Sequence, residues 1–299
     1  MKKYLLIALI GFLFSCEEEV AVDLKEAPSA YVIDAWINDK LEEQTIKLSL
    51  SQAYFDSSEP TPITGATVQV VDNGNTVFNF TESIPGSYTW DPASSSDRIE
   101  GIGSTYQLNI TVNGFSFSAN SELKRVPPVD SIKFTYKEEQ SVFEPAGYYG
   151  EFLATDPVGP GDSYWIKAYK NGNLLNNPFD LNIAYDAGFN AGGNIDGVVF
   201  IQPIQNAVTP QNEELDKIVP YVPGDSLYVE IHSVTNEAFD FLQQVQIQTQ
   251  RDGGFDEIFA EPLENVTTNI NKVNADPNLK VIGFFNVASV SGRGRRLVE

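Results

Sequence analysis

The chain has 299 residues, with 19 Lys and Arg against 41 Asp and Glu and a formal net charge of −22. An acidic excess that large leaves no basic face for a phosphate backbone, which excludes nucleic acid, and it argues against docking on anionic lipid head groups. One Cys and one His exclude an internal disulfide and argue against zinc, whereas 42% hydrophobic and 12% aromatic residues suit a globular core.

Lys2 and Lys3 form a positive start, Tyr4 to Phe14 a short apolar run, and Ser15 a small residue before Cys16. That layout is a secretory signal, too short for a membrane span of about 20 apolar residues. Leu13-Phe14-Ser15-Cys16 has the form of a bacterial lipobox, in which the chain is cut before Cys16 and both the thiol and the new terminus are acylated, palmitate being one such chain. At about 0.8 kcal/mol per buried methylene, two or three acyl chains hold a protein on a bilayer almost permanently. Residues 1–15 are therefore expected to be a lipoprotein signal peptide and 16–27 a tether. Glu17-Glu18-Glu19 resembles the short acidic signal that sends Bacteroidota lipoproteins through the outer membrane, so a lipid-anchored position facing the extracellular side is expected. With Cys16 acylated, no thiol remains for catalysis or soft-metal ligation.

From Ala30 the pattern is β almost throughout. Tyr106, Leu108, Ile110 and Val112 alternate with polar residues, the period-2 signature of a strand with one buried face. Asn113-Gly114, Asn73-Gly74 and Asn171-Gly172 each follow such a run and predict hairpin turns, because both central residues of a type I′ turn need positive φ. Val126-Pro127-Pro128-Val129-Asp130 predicts a stiff connector, since proline fixes φ and biases its predecessor to extended geometry. The fold class is mainly β: an N-terminal Ig-like or transthyretin-like β-sandwich over 28–125, self-sufficient in size, and a larger β-rich domain over 129–299 with one or two helices. One helix is predicted after the N-cap candidates Ser233, Thr235 and Asn236, where Ala238, Phe241, Leu242 and Val245 recur at helical spacing, with Gly253-Gly254 ending it.

Candidate sites are few. His232 with Glu230 two residues away could form part of a hydrolytic set, but no nucleophile motif accompanies them, and a half-exposed strand histidine is the expectation. Asp186, Asn190, Asn194 and Asp196, in an Asn- and Gly-rich stretch, offer oxygen ligands to calcium without a known spacing motif, so turn-holding side chains are expected and no metal or cofactor is assigned. The adjacent aromatics Tyr148-Tyr149, Tyr164-Trp165 and Phe284-Phe285 would each turn one ring inward and one outward, and clustered outward rings would make a binding patch. Arg293, Arg295 and Arg296 form a small basic group that either pairs with acidic surface or is solvated.

Several segments in order carry a family resemblance: the lipobox and acidic start, Tyr31-Val32-Ile33-Asp34-Ala35-Trp36-Ile37-Asn38-Asp39, Gly65-Ala66-Thr67-Val68, the 126–132 joint, Gly224-Asp225-Ser226-Leu227-Tyr228-Val229, Asn265-Val266-Thr267-Thr268-Asn269-Ile270 and Gly283-Phe284-Phe285. This order resembles the Bacteroidota outer-membrane lipoprotein family known as domain of unknown function 4249. Gly65-Ala66-Thr67-Val68 and Pro85-Gly86-Ser87-Tyr88 are also similar to the non-catalytic carboxypeptidase-regulatory, transthyretin-like sandwich. The resemblance implies a non-enzymatic surface lipoprotein accessory to a TonB-dependent transporter in nutrient uptake, with that transporter as partner. A stand-alone surface binder of glycan or protein is the alternative. It supplies no catalytic residues.

Overall fold

The computed structural model describes residues 28–53, 56–94, 96–190, 195–212, 217–251 and 266–298. The first seven strands are β1 (Tyr31–Asn38), β2 (Gln44–Leu50), β3 (Thr67–Asp72), β4 (Val77–Ile84), β5 (Ser87–Trp90), β6 (Thr105–Val112) and β7 (Phe115–Glu122). Beyond the proline joint come β8 (Ser131–Lys137), β9 (Gly147–Leu153), β10 (Ser163–Lys170), β11 (Asn173–Leu174) and β12 (Asn182–Tyr185). Helix α1 (Gln202–Asn206), the short pair β13 (Gln211–Asn212) and β14 (Lys217–Ile218), and β15 (Ser226–Val234) follow. Helix α2 (Asn236–Thr249) and strands β16 (Asn271–Asn274), β17 (Val281–Ala288) and β18 (Val290–Arg296) complete the described elements. The protein is mainly β, as its alternation predicts.

One sheet has the order β16-β7-β6-β3-β4-β5-β2-β1-β17. It folds over at β4, whose Val77–Phe80 half pairs with β3 and whose later half pairs with β5. The two layers face each other across one core containing Ile33, Leu48, Val70, Phe78, Tyr88, Tyr106, Leu108 and Phe117. The period-2 reading holds along β6, where Tyr106, Leu108, Ile110 and Val112 are all buried. Asn113 and Gly114 both take positive φ, as do Asn171 and Gly172. The third turn differs: positive φ falls on Asn75, and Asp72 caps a three-residue loop by accepting from the Thr76 amide at 2.8 Å. A type I turn closed by a left-handed residue does the same job, and Asn tolerates that conformation.

The expected self-sufficient unit at 28–125 needs correction. Its sheet is finished by β17, which pairs in parallel with β1 from Tyr31↔Val281 to Asn38↔Ala288, and by β16 on β7. Ile270, Phe285 and Val287 enter the same core. The Pro127-Pro128 joint marks where the chain leaves this sheet, yet the chain returns to it some 150 residues later. Parallel pairing requires such a crossover, which no local pattern discloses.

The second sheet has the order β11-β10-β15-β18, with β12 also on β10. Its core gathers Tyr164, Ile166, Leu227, Val229 and Ile231 with Ile132 and Phe152 of the β8–β9 hairpin. Helix α2 begins where expected, capped by Thr235, whose Oγ1 accepts from the Ala238 amide at 3.2 Å. A third cluster, made of Val234, Ala238, Phe239, Leu242 and Phe284 with Trp36 and Trp165 at its margin, joins the two bodies. Strand β17 makes this possible: Phe285 and Val287 fill the first core, while Phe284 and Asn286 turn onto the second body. One residue, Ser289, then separates β17 from β18, so the chain steps directly between sheets.

Candidate functional site

Cys16 and Glu17, Glu18 and Glu19, the expected anchor and export signal, lie outside the described residues, as do the tether to residue 27 and Gly253-Gly254. Among the described residues no helix is long and apolar enough to cross a membrane.

The structure places His232 and Glu230 on one face of β15, as the alternation requires, but that face is covered. Glu230 is 2% and His232 6% exposed, which corrects the expectation of a half-exposed histidine. The segment after β1 lies across them and brings in Lys40, whose Nζ donates to Glu230 Oε1 at 2.6 Å. His232 Nε2 stands 3.0 Å from Glu230 Oε2, and the Tyr169 hydroxyl donates to the same oxygen at 3.1 Å. Burial pushes the imidazole down to about 4, against the pull of Glu230. Burial alone would raise Glu230, but the hydrogen bonds from His232 and Lys40 outweigh it and hold the carboxyl at about 2. Among the described residues no hydroxyl or thiol hydrogen-bonds His232, so a nucleophile–base pair is not assembled. The group is a buried ion cluster tying one body to the other.

A second cluster forms at the β9–β10 connection. Carboxylate oxygens of Asp156, Asp186 and Asp196 lie within 4.8 Å of one another. Each is held by backbone: Asp186 Oδ1 accepts from the Gly161 and Asp162 amides at 2.8 and 3.0 Å, and Asp196 Oδ1 from Gly159 at 2.9 Å. Asp156 accepts from the Tyr164 hydroxyl at 2.7 Å and from the Gly197 amide at 3.1 Å. Burial raises the Asp156 carboxyl, and the negative charges of Asp162 and Asp186 add to that. An all-oxygen set of this kind suits a hard cation such as calcium. Asp186 and Asp196 were visible as candidates in the sequence; Asp156 was not, because it stands 30 residues upstream with no spacing motif. Asn190 is exposed, and Asn194 lies outside the described residues. Arg125, at the end of the first sheet, clamps the adjoining loop by pairing with Asp162 at 2.8 Å and donating to the carbonyls of Pro157, Val158 and Gly159.

A profile of the family described as a domain of unknown function, DUF4249, matches residues 17–293, a span that includes the first sheet, the junction, both clusters and all of the second sheet but the last three residues of β18. The chain belongs to the DUF4249 family. A search among curated proteins found no match.

The adjacent aromatics of this DUF4249 protein do not form the patch considered above. Tyr164 lies in the second core, Trp165 packs edge-on to Trp36 at 5.2 Å, and Phe284 and Phe285 are both buried, on opposite sides of β17. The outward ring of each strand pair is covered because the neighbouring body stands there. Tyr149 is buried too, and half-buried Tyr148 packs against exposed Tyr136 at 5.3 Å. Arg293 and Arg295 donate to the carbonyls of Asp130 and Ile132 at 2.6 and 3.0 Å, so they fasten β18 to the start of β8. Arg296 alternates to the other face and is exposed.

Proposed function

We propose that this DUF4249 protein is a lipid-anchored lipoprotein of the outer-membrane surface that binds rather than catalyses, as an accessory subunit of a TonB-dependent transporter in nutrient uptake. The observation that carries the reading is Leu13-Phe14-Ser15-Cys16 followed at once by Glu17-Glu18-Glu19, with the family match beginning at residue 17, immediately after the lipobox cysteine. The burial of the chain's single histidine in an ion cluster, with no hydroxyl or thiol bonded to it among the described residues, supports a binding role.

Tyr31, the start of the first strand, is fifteen residue steps from Cys16, which at about 3.3–3.6 Å per step keeps the body within about 50 Å of the bilayer. Anchoring of that kind raises the effective concentration toward an embedded partner, so a modest interface suffices. Purification from native membranes in mild detergent at low salt is expected to bring down a transporter barrel. Because this protein is strongly acidic, the complex should weaken as salt rises. Repeated recovery of the lipoprotein alone under those conditions would overturn the transporter reading.

A further inference from the structure

Between the two bodies lies a cleft of about 520 Å³, in the size range of ligand sites, which run from about 300 to 1,000 Å³. One wall is helix α2, which presents Glu237, Asp240 and Gln244 at i, i+3 and i+7 and therefore on one face. The opposite wall is Asn120 of β7 with Thr267, Thr268, Asn269 and Asn271, and buried Phe284 closes the floor. This wall is fixed before any ligand arrives. Gln244 and Thr267 bond each other twice, at 3.0 and 2.9 Å. Asn269 stands in for a missing strand, donating to the Phe285 carbonyl at 2.8 Å and accepting from the Phe285 amide at 3.0 Å. Thr268 Oγ1 donates to the Gly283 carbonyl at 2.7 Å.

Against this rigid wall, the side chains of Asn120, Glu237 and Asp240 are exposed to the cleft and have no hydrogen-bond partner among the described residues. No Lys or Arg is among the described residues that line it. A phosphate, sulfate or acidic sugar would therefore meet two carboxylates and no counter-charge. An apolar ligand would meet amides, hydroxyls and carboxylates, whose desolvation it could not offset. Hydroxyl groups, which donate and accept at once, match both the carboxylates and the amides.

We infer that this cleft is a binding site for a neutral saccharide, with Glu237 and Asp240 accepting from ring hydroxyls and the Asn120 amide serving as donor and acceptor opposite them. This goes beyond the transporter role and does not depend on it, since a saccharide would bind whether or not a barrel is present. Glu237 also lies in the first turn of α2, where a carboxylate favours the helix, so Asp240 and Asn120 are the cleaner probes.

The test is calorimetric titration of the detergent-solubilised lipoprotein with short neutral gluco-, manno-, xylo-, galacto- and N-acetylglucosamine oligomers. Sulfated oligomers and a cationic peptide serve as the contrasting arms. At least one neutral series is expected to bind. Asp240→Asn and Asn120→Ala should each weaken that binding about tenfold, the loss of one good hydrogen bond, with the thermal midpoint unchanged because both positions are exposed. Backbone amide shifts should move at Gln244, Thr267 and Asn271 on addition of the bound sugar. Absence of binding to every neutral series would overturn the assignment. So would preference for the sulfated oligomers or the peptide, or sugar binding that neither substitution alters.

Discussion

His232 shows how one side chain can be located by pattern and still be misjudged in environment. Strand alternation puts it beside Glu230, and the structure keeps them together, but the segment that buries them comes from around residue 40, about 190 positions earlier. Coverage of that kind has no local signature. Its consequence is a pH dependence whose sign is fixed. The native imidazole titrates at about 4 and the unfolded one at about 6.5, so between these values the unfolded chain binds a proton that the native chain refuses. Stability should fall as pH drops through that window, by up to about 3 kcal/mol. Glu230 acts further down: held at about 2, its contribution is complete above about pH 4.5 and is lost as pH falls toward 2. Urea unfolding midpoints measured from pH 7.5 to 4 should decline for the native sequence and decline less for His232→Gln. A variant as acid-sensitive as the parent would place the titrating group elsewhere. The acidic cluster was half legible on the same terms: Asp186 and Asp196 stand out in a polar stretch, whereas Asp156 joins them only through the fold.

At the scale of elements, β17 does what its sequence says and more. Its alternation was readable, with Phe284 and Phe285 assigned to opposite faces. What the sequence hid is that both faces are interior, because one meets the first core and the other meets α2 and Trp36. The strand also explains its own glycine. Gly283 has φ +102°, and a Cβ there would stand 2.0 Å from the Ile33 carbonyl oxygen, so only glycine lets β17 approach β1. Gly283→Ala is expected to cost several kcal/mol through a backbone clash combined with a disfavoured φ. Phe284→Ala should cost about 3–5 kcal/mol through the cavity left between the bodies. Differential scanning calorimetry on both variants checks this. If Phe284→Ala leaves the midpoint within a degree of the parent, the junction cluster is not a stabilising core. The turns sort in the same way: Asn113-Gly114 and Asn171-Gly172 are fixed by local chemistry and were legible, while Asn73-Gly74 shifted its positive φ by one residue because Asp72 supplies a cap.

For the whole molecule, fold class was legible because alternation and turn residues recur along the chain, and the order of strands was not, because its deciding pair is non-local. The proline joint at 126–130 is a true change of direction, yet the first sheet borrows its last strands from beyond it. An excised 28–125 fragment would lose the β1 partner strand and leave Ile270, Phe285 and Val287 out of its core. It would also expose the β1 edge as a template for association. Such a fragment is expected to aggregate or to unfold without cooperativity, whereas a chain starting at residue 16 is expected to give dispersed amide signals. A fragment with a sharp transition and a dispersed spectrum would show that β17 is dispensable. The same connectivity bears on anchoring. Since β1 is an interior strand of the joined sheet, paired with β2 on one side and with the edge strand β17 on the other, the segment that follows Cys16 enters a strand that cannot peel away without opening the first core. The proposed lipid would thus be attached to a rigid body, and membrane residence should then depend on the acyl chains alone, given a net charge that anionic head groups repel. Cys16→Ser is expected to move the protein from the membrane pellet to the soluble fraction with its melting midpoint unchanged, as fractionation and calorimetry on the same preparation would show. Retention of that variant on membranes through salt and detergent-free washing would mean that something other than the lipobox holds this protein there.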